Sequence, residues 1–171
     1  IYELNITSYS ALNNEGSDEL VDLKIKRYIA ARSIPLALIG VPGIYLHGLL
    51  GSTNDIEAVN NLHDKRSINR KILSKEEIFN RIEDSSSTTY KVASKLTSMI
   101  QKRISEKSFH PQAEQNIIDV GNACFCCTRG SIKNQECVIV IVNITDKKQD
   151  FILSLNDGVF KNITGDIKFR D

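Results

Sequence analysis

In this chain of 171 residues, the side chains whose placement could do chemistry are three histidines, two nearby arginines and a group of cysteines. His47, His63 and His110 stand apart from any nucleophile or carboxylate at a spacing that would make a general base of them. Each therefore reads first as a structural or solvated residue. Glycoside hydrolysis needs two placed carboxylates, and acyl transfer needs a nucleophile, a base and oxyanion donors; neither set is visible. Arg66 and Arg70 are different, because they lie in a long polar stretch that follows an apolar run. An arginine's planar fork of donors can hold sugar hydroxyls, a carboxylate or a phosphate in fixed geometry, and surface ion pairing is the equally weighted alternative. Cys124, Cys126, Cys127 and Cys137 include one CxxC spacing but no second pair to complete a zinc site. In a strand, Cys124 and Cys126 share a face and Cys127 takes the other, which suits small apolar fillers of a reduced sheet. No phosphate loop and no dinucleotide glycine fingerprint is present, so no cofactor, no metal and no catalytic residue is assigned.

The elements that must position these residues follow from periodicity. Tyr2 to Thr7 suits a short strand, followed by a polar turn at Asn13 to Ser17. Val21, Ile25, Tyr28 and Ile29 recur at helical spacing, with Ser17 or Asp18 to cap the helix and Pro35 to kink or shorten its end. Gly43 to His47, an apolar run without polar alternation, reads as a buried parallel strand, and Gly48 to Lys71 as the functional connection beyond it. Ser74 and Glu77 have capping-box spacing for a helix starting near Lys75 that breaks at Asp84 to Ser87. Val92, Leu96, Met99, Ile100 and Ile104 mark one face of the next helix. Beyond Pro111 the period changes to two, giving strands at Asn116 to Val120, Ala123 to Thr128, Cys137 to Ile144 and Phe151 to Leu155. The expected class is α/β followed by all-β, with the boundary near residue 110.

Composition narrows the function classes. Hydrophobic residues make up 41% of the chain and charged residues 25%, which supports a packed core and argues against wholesale disorder. With 22 basic and 21 acidic residues the net charge is +1, too little basic field for a phosphate backbone, so nucleic acid is not expected as a partner. The longest apolar stretch, Ile34 to Leu50, is broken by Pro35, Pro42 and three glycines and is too interrupted for a spanning helix of about 20 residues, so no membrane partner is expected. Read as fillers of a reduced sheet, the cysteines favour the cytoplasm. Because Ile1 opens inside a strand-like run, the chain reads as cut from something longer.

The wording of several segments carries a resemblance. Tyr2-Glu3-Leu4-Asn5, Tyr9-Ser10-Ala11-Leu12, Gly40-Val41-Pro42-Gly43-Ile44-Tyr45, Asn54-Asp55 and Arg66-Ser67-Ile68-Asn69-Arg70 together resemble the sucrose phosphorylase subfamily of the α-amylase superfamily, in order and over roughly the first half. The resemblance implies a (β/α)₈ barrel whose last strands and helices occupy residues 1–108, followed by a small antiparallel β domain at 109–171. It implies transfer of glucose from an α-glucoside to phosphate by double displacement, giving α-glucose 1-phosphate, with the three active carboxylates upstream of the matched segment. A fragment of this kind would be inactive alone, and its unsealed barrel edges could pair copies into a homo-oligomer. Carried over singly, Arg66 matches an arginine that contacts the glucosyl unit, and Glu3 a loop position, commonly Gln, near the acceptor sugar. Lys65 and Ser67 depart from the usual Gly and Asp, and Leu46-His47 replaces a Tyr-containing pair, so the match does not fix the acceptor. The wording at Glu3, His47 and Arg66-Ser67 is closer to relatives acting on glucosylglycerate or sucrose 6′-phosphate. An amylase-type hydrolase fragment and a non-catalytic interaction module are the competing readings.

Overall fold

The computed structural model describes residues 4–131 and 136–150. They divide into two units, one drawn from the described residues up to 32 and from 43–100, the other from 33–42 and the described residues beyond 100.

The first unit is helical. Thr7 opens helix α1 (Ser8–Leu12) by accepting the Ser10 amide on its hydroxyl, while its own N–H goes to the Asn54 side chain at 2.9 Å. The described part of the expected strand over Tyr2 to Thr7 is therefore a helix cap, because the Thr7 backbone is taken by a side chain rather than by a neighbouring strand. Helix α2 (Val21–Ala37) starts three residues later than Asp18. Ser17 closes the preceding turn, donating through both its N–H and its hydroxyl to the Asn14 carbonyl, and so is not available as a cap. Pro35 does not shorten the helix; it sits in the last turn, and the Leu38 N–H still reaches the Ile34 carbonyl.

The core of this unit packs Tyr9, Ile25 and Tyr28 against Val92 and Leu96 of helix α6 (Thr88–Ser105), with Ile29, Leu49 and Met99 at its edge. Val92, Leu96, Met99 and Ile100 fulfil the expected face, whereas Ile104 is 78% exposed. The Tyr9 and Tyr28 rings meet at 5.3 Å with a 60° tilt, an arrangement that brings the positive edge of one ring toward the negative face of the other. Helix α5 (Lys75–Glu83) begins where the capping box predicted, with Ser74 Oγ accepting the Glu77 N–H at 3.0 Å. Ser87 then caps α6 by accepting the Tyr90 N–H at 2.9 Å.

No strand forms over Gly43 to His47. Residues 41–45 are irregular, and Leu46–Leu49 is a single helical turn, α3. A parallel strand needs neighbours for its backbone groups, and among the described residues none is offered: Tyr45 is extended, but its carbonyl accepts the Leu49 N–H instead. The connection beyond it is structured, containing helix α4 (Ile56–Leu62) and a 3₁₀ turn at Lys65–Asn69.

The second unit holds an antiparallel sheet in the order β1 (Gln115–Ile118), β2 (Cys124–Ser131), β3 (Glu136–Asn143). The three expected strands lie within a few residues of these bounds; the fourth, at Phe151 to Leu155, falls outside the described residues. Among the described residues no strand pair is parallel, so the sheet displays the β portion of the expected class and not the barrel. Central β2 is covered on both faces: Cys124, Cys126, Cys127, Thr128 and Arg129 are all buried, and the four cysteines are free thiols. Gly130 carries φ +98°, and a Cβ there would run into the Glu136 carbonyl oxygen, so both backbone conformation and space call for glycine.

Two arginines hold the 33–42 segment in this unit. Arg103 donates to the Leu36, Leu38 and Gly40 carbonyls, and Arg129 to the Ala37 and His110 carbonyls, the latter two at 2.8 Å. Both guanidinium groups lie near the Phe109 ring, at 5.5 and 5.8 Å from its centroid. The carbonyls at the end of α2, which an α-helix leaves unbonded, are thus satisfied by cations that also suit the negative end of the helix dipole.

Candidate functional site

The segment from Tyr45 to Arg70 is pinned at several points, and each pin is a residue whose chemistry suits it. Tyr28 is fully buried and donates its hydroxyl to the Gly48 carbonyl at 2.7 Å, fixing the turn of α3. Gly51 takes φ +62° against Val92, where a Cβ would stand 3.0 Å from a methyl carbon. His47 is buried, its Nδ1 within 3.1 Å of Ser52 Oγ, and the Tyr45 ring meets it edge-on at 5.2 Å. Asn54 joins this segment to the N-terminal one: its side-chain oxygen accepts the Thr7 N–H, and its own N–H goes to Ser10 Oγ at 3.0 Å. Ser10 in turn donates to Glu15.

Arg66 sits on the 3₁₀ turn, and the turn is set by carboxylates. Asp55 donates its N–H to the Ile68 carbonyl at 2.8 Å and caps α4 by accepting the Ala58 N–H at 3.0 Å. Asp64 accepts the Arg66 N–H at 3.0 Å and the Ser67 hydroxyl at 3.3 Å, and Ser67 is buried beneath the turn. The Tyr45 hydroxyl reaches the Asn69 carbonyl at 3.4 Å. On a 3₁₀ turn residues three apart eclipse, so Arg66 and Asn69 share one side of it. Arg66 itself is exposed. The arrangement holds the Arg66 backbone on several sides, and a guanidinium is the kind of group that can orient an oxygen-rich ligand.

The other sequence-selected residues are dispersed. Arg70 is exposed at the end of the turn, its N–H bonded to the Ser67 carbonyl. His63 is exposed and ends α4 in the left-handed region, with φ 51°. His110 accepts the Gln112 N–H on Nδ1 and contributes its carbonyl to Arg129. Glu3 lies outside the described residues. Among the described residues no cluster of three His, Cys, Asp or Glu is arranged to hold a metal. Burial pushes the Cys126 thiol up to about 11, with Cys127 and Cys124 adding to the effect, so Cys126 is a protonated filler rather than a nucleophile.

The stitching role of Asn54 and the carbonyl-binding role of Arg103 and Arg129 escaped sequence reasoning. Asn54 meets a partner 47 positions away, and nothing local announces that. Arg129, flanked by Thr128 and Gly130 in a strand, has the local pattern of a surface cation.

No family model matches the sequence. The glucosylglycerate phosphorylase of Allomeiothermus silvanus is 35% identical over 148 residues, covering 86% of this chain and 26% of that protein. The glucosylglycerate phosphorylase of Escherichia coli is 32% identical over 149 residues, with the same coverage of 86% and 26%. The crystal structure of sucrose 6F-phosphate phosphorylase from Thermoanaerobacter thermosaccharolyticum superposes with a TM-score of 0.65 at 26% identity, covering 82% of this chain and 25% of that one. The chain spans about a quarter of the length of the curated relatives it matches. Matched over most of its own length in sequence and in fold, the chain belongs to the family of the glucosylglycerate and sucrose phosphorylases, as the counterpart of one quarter of such an enzyme.

Proposed function

We infer that this chain is the C-terminal part of a retaining α-glucoside phosphorylase, with residues 1–108 closing a (β/α)₈ barrel and 109–171 forming an antiparallel β domain. The whole enzyme transfers glucose from glucosylglycerate, sucrose 6′-phosphate or sucrose to phosphate, releasing α-glucose 1-phosphate. The observation that carries this reading is the kinship to phosphorylases over 86% of the chain combined with the pinned turn that presents Arg66. In it, Arg66 orients the glucosyl unit and Glu3 faces the acceptor. Double displacement needs a nucleophile and an acid/base about 5 Å apart. The carboxylates of the Arg66 segment, Asp55 and Asp64, each commit an oxygen to capping a backbone N–H. The reactive acids accordingly belong to the rest of the enzyme, and the chain alone is inactive.

The test is to substitute this chain for the matching quarter of the Escherichia coli relative and supply glucosylglycerate, sucrose 6′-phosphate or sucrose with and without phosphate. Phosphate-dependent α-glucose 1-phosphate is the expected product. Free glucose released at the same rate without phosphate would make the protein a hydrolase instead.

A further inference from the structure

Helix α5 (Lys75–Glu83) buries none of its residues. Its local credentials are nevertheless good: the Ser74 cap, Glu76 and Glu77 in the first turn against the positive end of the dipole, and a Glu77–Arg81 ion pair at 2.6 Å one turn apart. Such terms leave a helix of nine residues marginal in water, because most helical stability in proteins comes from packing an amphipathic face. That face exists. Ile78, Phe79 and Ile82 fall in one stripe at helical spacing; Phe79 is 51% and Ile82 38% exposed, and Ile72 just upstream is 94% exposed. The Glu77–Arg81 pair runs along the Ile78 side of the stripe, which is flanked along the helix axis by Lys75, whose ammonium lies 5.6 Å from the Phe79 centroid, and by Glu83.

The geometry points to a second copy of this chain as the occupant of the stripe, bound as an antiparallel helix pair about a two-fold axis at Phe79. An isologous contact requires the patch to complement itself. Here it does. With the axis at Phe79, Lys75 of one copy stands opposite Glu83 of the other, and symmetry makes the pair twice. Phe79 meets its own counterpart, and Ile82 falls between Ile78 and the aliphatic stem of Lys75 in the second copy. A one-residue shift of the axis loses the Lys75–Glu83 match, so charge fixes the register that the apolar residues alone would leave open. Nine residues extend about 14 Å. The patch is thus well short of the roughly 800 Å² per partner of a standard stable interface, and α5 alone gives a weak, concentration-dependent dimer.

Sedimentation of this chain over an approximately hundredfold range of concentration should show mass rising from monomer toward dimer. Phe79→Lys should hold it monomeric, with unchanged circular dichroism showing that the fold survives. Lys75→Glu alone and Glu83→Lys alone should each weaken association several-fold, and the two together should restore it. A monomer at every concentration, a dimer indifferent to Phe79→Lys, or charge reversals that fail to compensate would overturn the proposal. So would a monomer whose α5 amides become protected only on mixing with the other three quarters of a phosphorylase relative, which would assign the stripe to that longer chain.

Discussion

Arg129 is the residue on which the second unit turns. It is fully buried, it faces carbonyl oxygens rather than a carboxylate, and its Nε is left without a partner among the described residues. Burial and then the neighbouring Arg103 hold its pKa below the ordinary arginine value. Replacing it by methionine strands the Ala37 and His110 carbonyls. We expect a loss of about 2–4 kcal/mol in denaturant unfolding, with Arg129→Lys recovering part of it because a lysine lacks the fork. Cys126 makes a second prediction. Its folded thiol, at about 11, holds its proton more tightly than an unfolded one near 8.5, so the stabilisation is complete below about pH 8.5 and is lost as pH rises through 11. Burial raises the Tyr28 hydroxyl in the same direction. Denaturation midpoints measured from pH 8 to 11 should fall steadily, and Cys126→Ala should flatten part of that fall. The sequence identified the cysteines as sheet fillers because alternation alone fixes their faces; it gave no warning of Arg129, whose burial depends on carbonyls brought in from the end of a distant helix.

At the scale of elements, the legible features were those decided locally. The Ser74 and Glu77 spacing located α5, because a cap needs only its own turn, and period two located β1 to β3. The failures share a cause. The run at Gly43 to His47 has a buried-strand composition, but pairing is non-local, and among the described residues it finds no neighbour and turns into α3 instead. Residues 4–7, the described part of the strand expected over Tyr2 to Thr7, likewise lead into a helix once Asn54 captures the Thr7 N–H. Since α5 buries nothing, its cap should matter only locally. Ser74→Ala removes a helix cap of about 1 kcal/mol, and hydrogen exchange should therefore speed up at the Glu77 to Phe79 amides while the melting temperature of the chain hardly changes. Global destabilisation of the same size would mean that α5 is packed after all.

For the molecule as a whole, the resemblance in five short segments anticipated the kinship that the comparison over 86% of the chain establishes. The candidate site was half legible. Arg66 was selected from its place in a polar stretch, but the reason its turn is firm, the double use of Asp55 and Asp64, required coordinates. Among the described residues no helix is long and apolar enough to cross a membrane, in keeping with the broken run at Ile34 to Leu50. The central claim is that the Arg66 turn forms part of the wall of a glucosyl site. Steady-state phosphorolysis by the Escherichia coli relative carrying this chain in place of its matching quarter tests that claim most directly, comparing Arg66→Lys with the unmodified protein. We predict a drop in kcat/KM for the donor glucoside on the order of 100-fold, since an ammonium cannot reproduce the guanidinium's fixed fork at a positioning contact. A kcat/KM unchanged by that substitution would contradict the account.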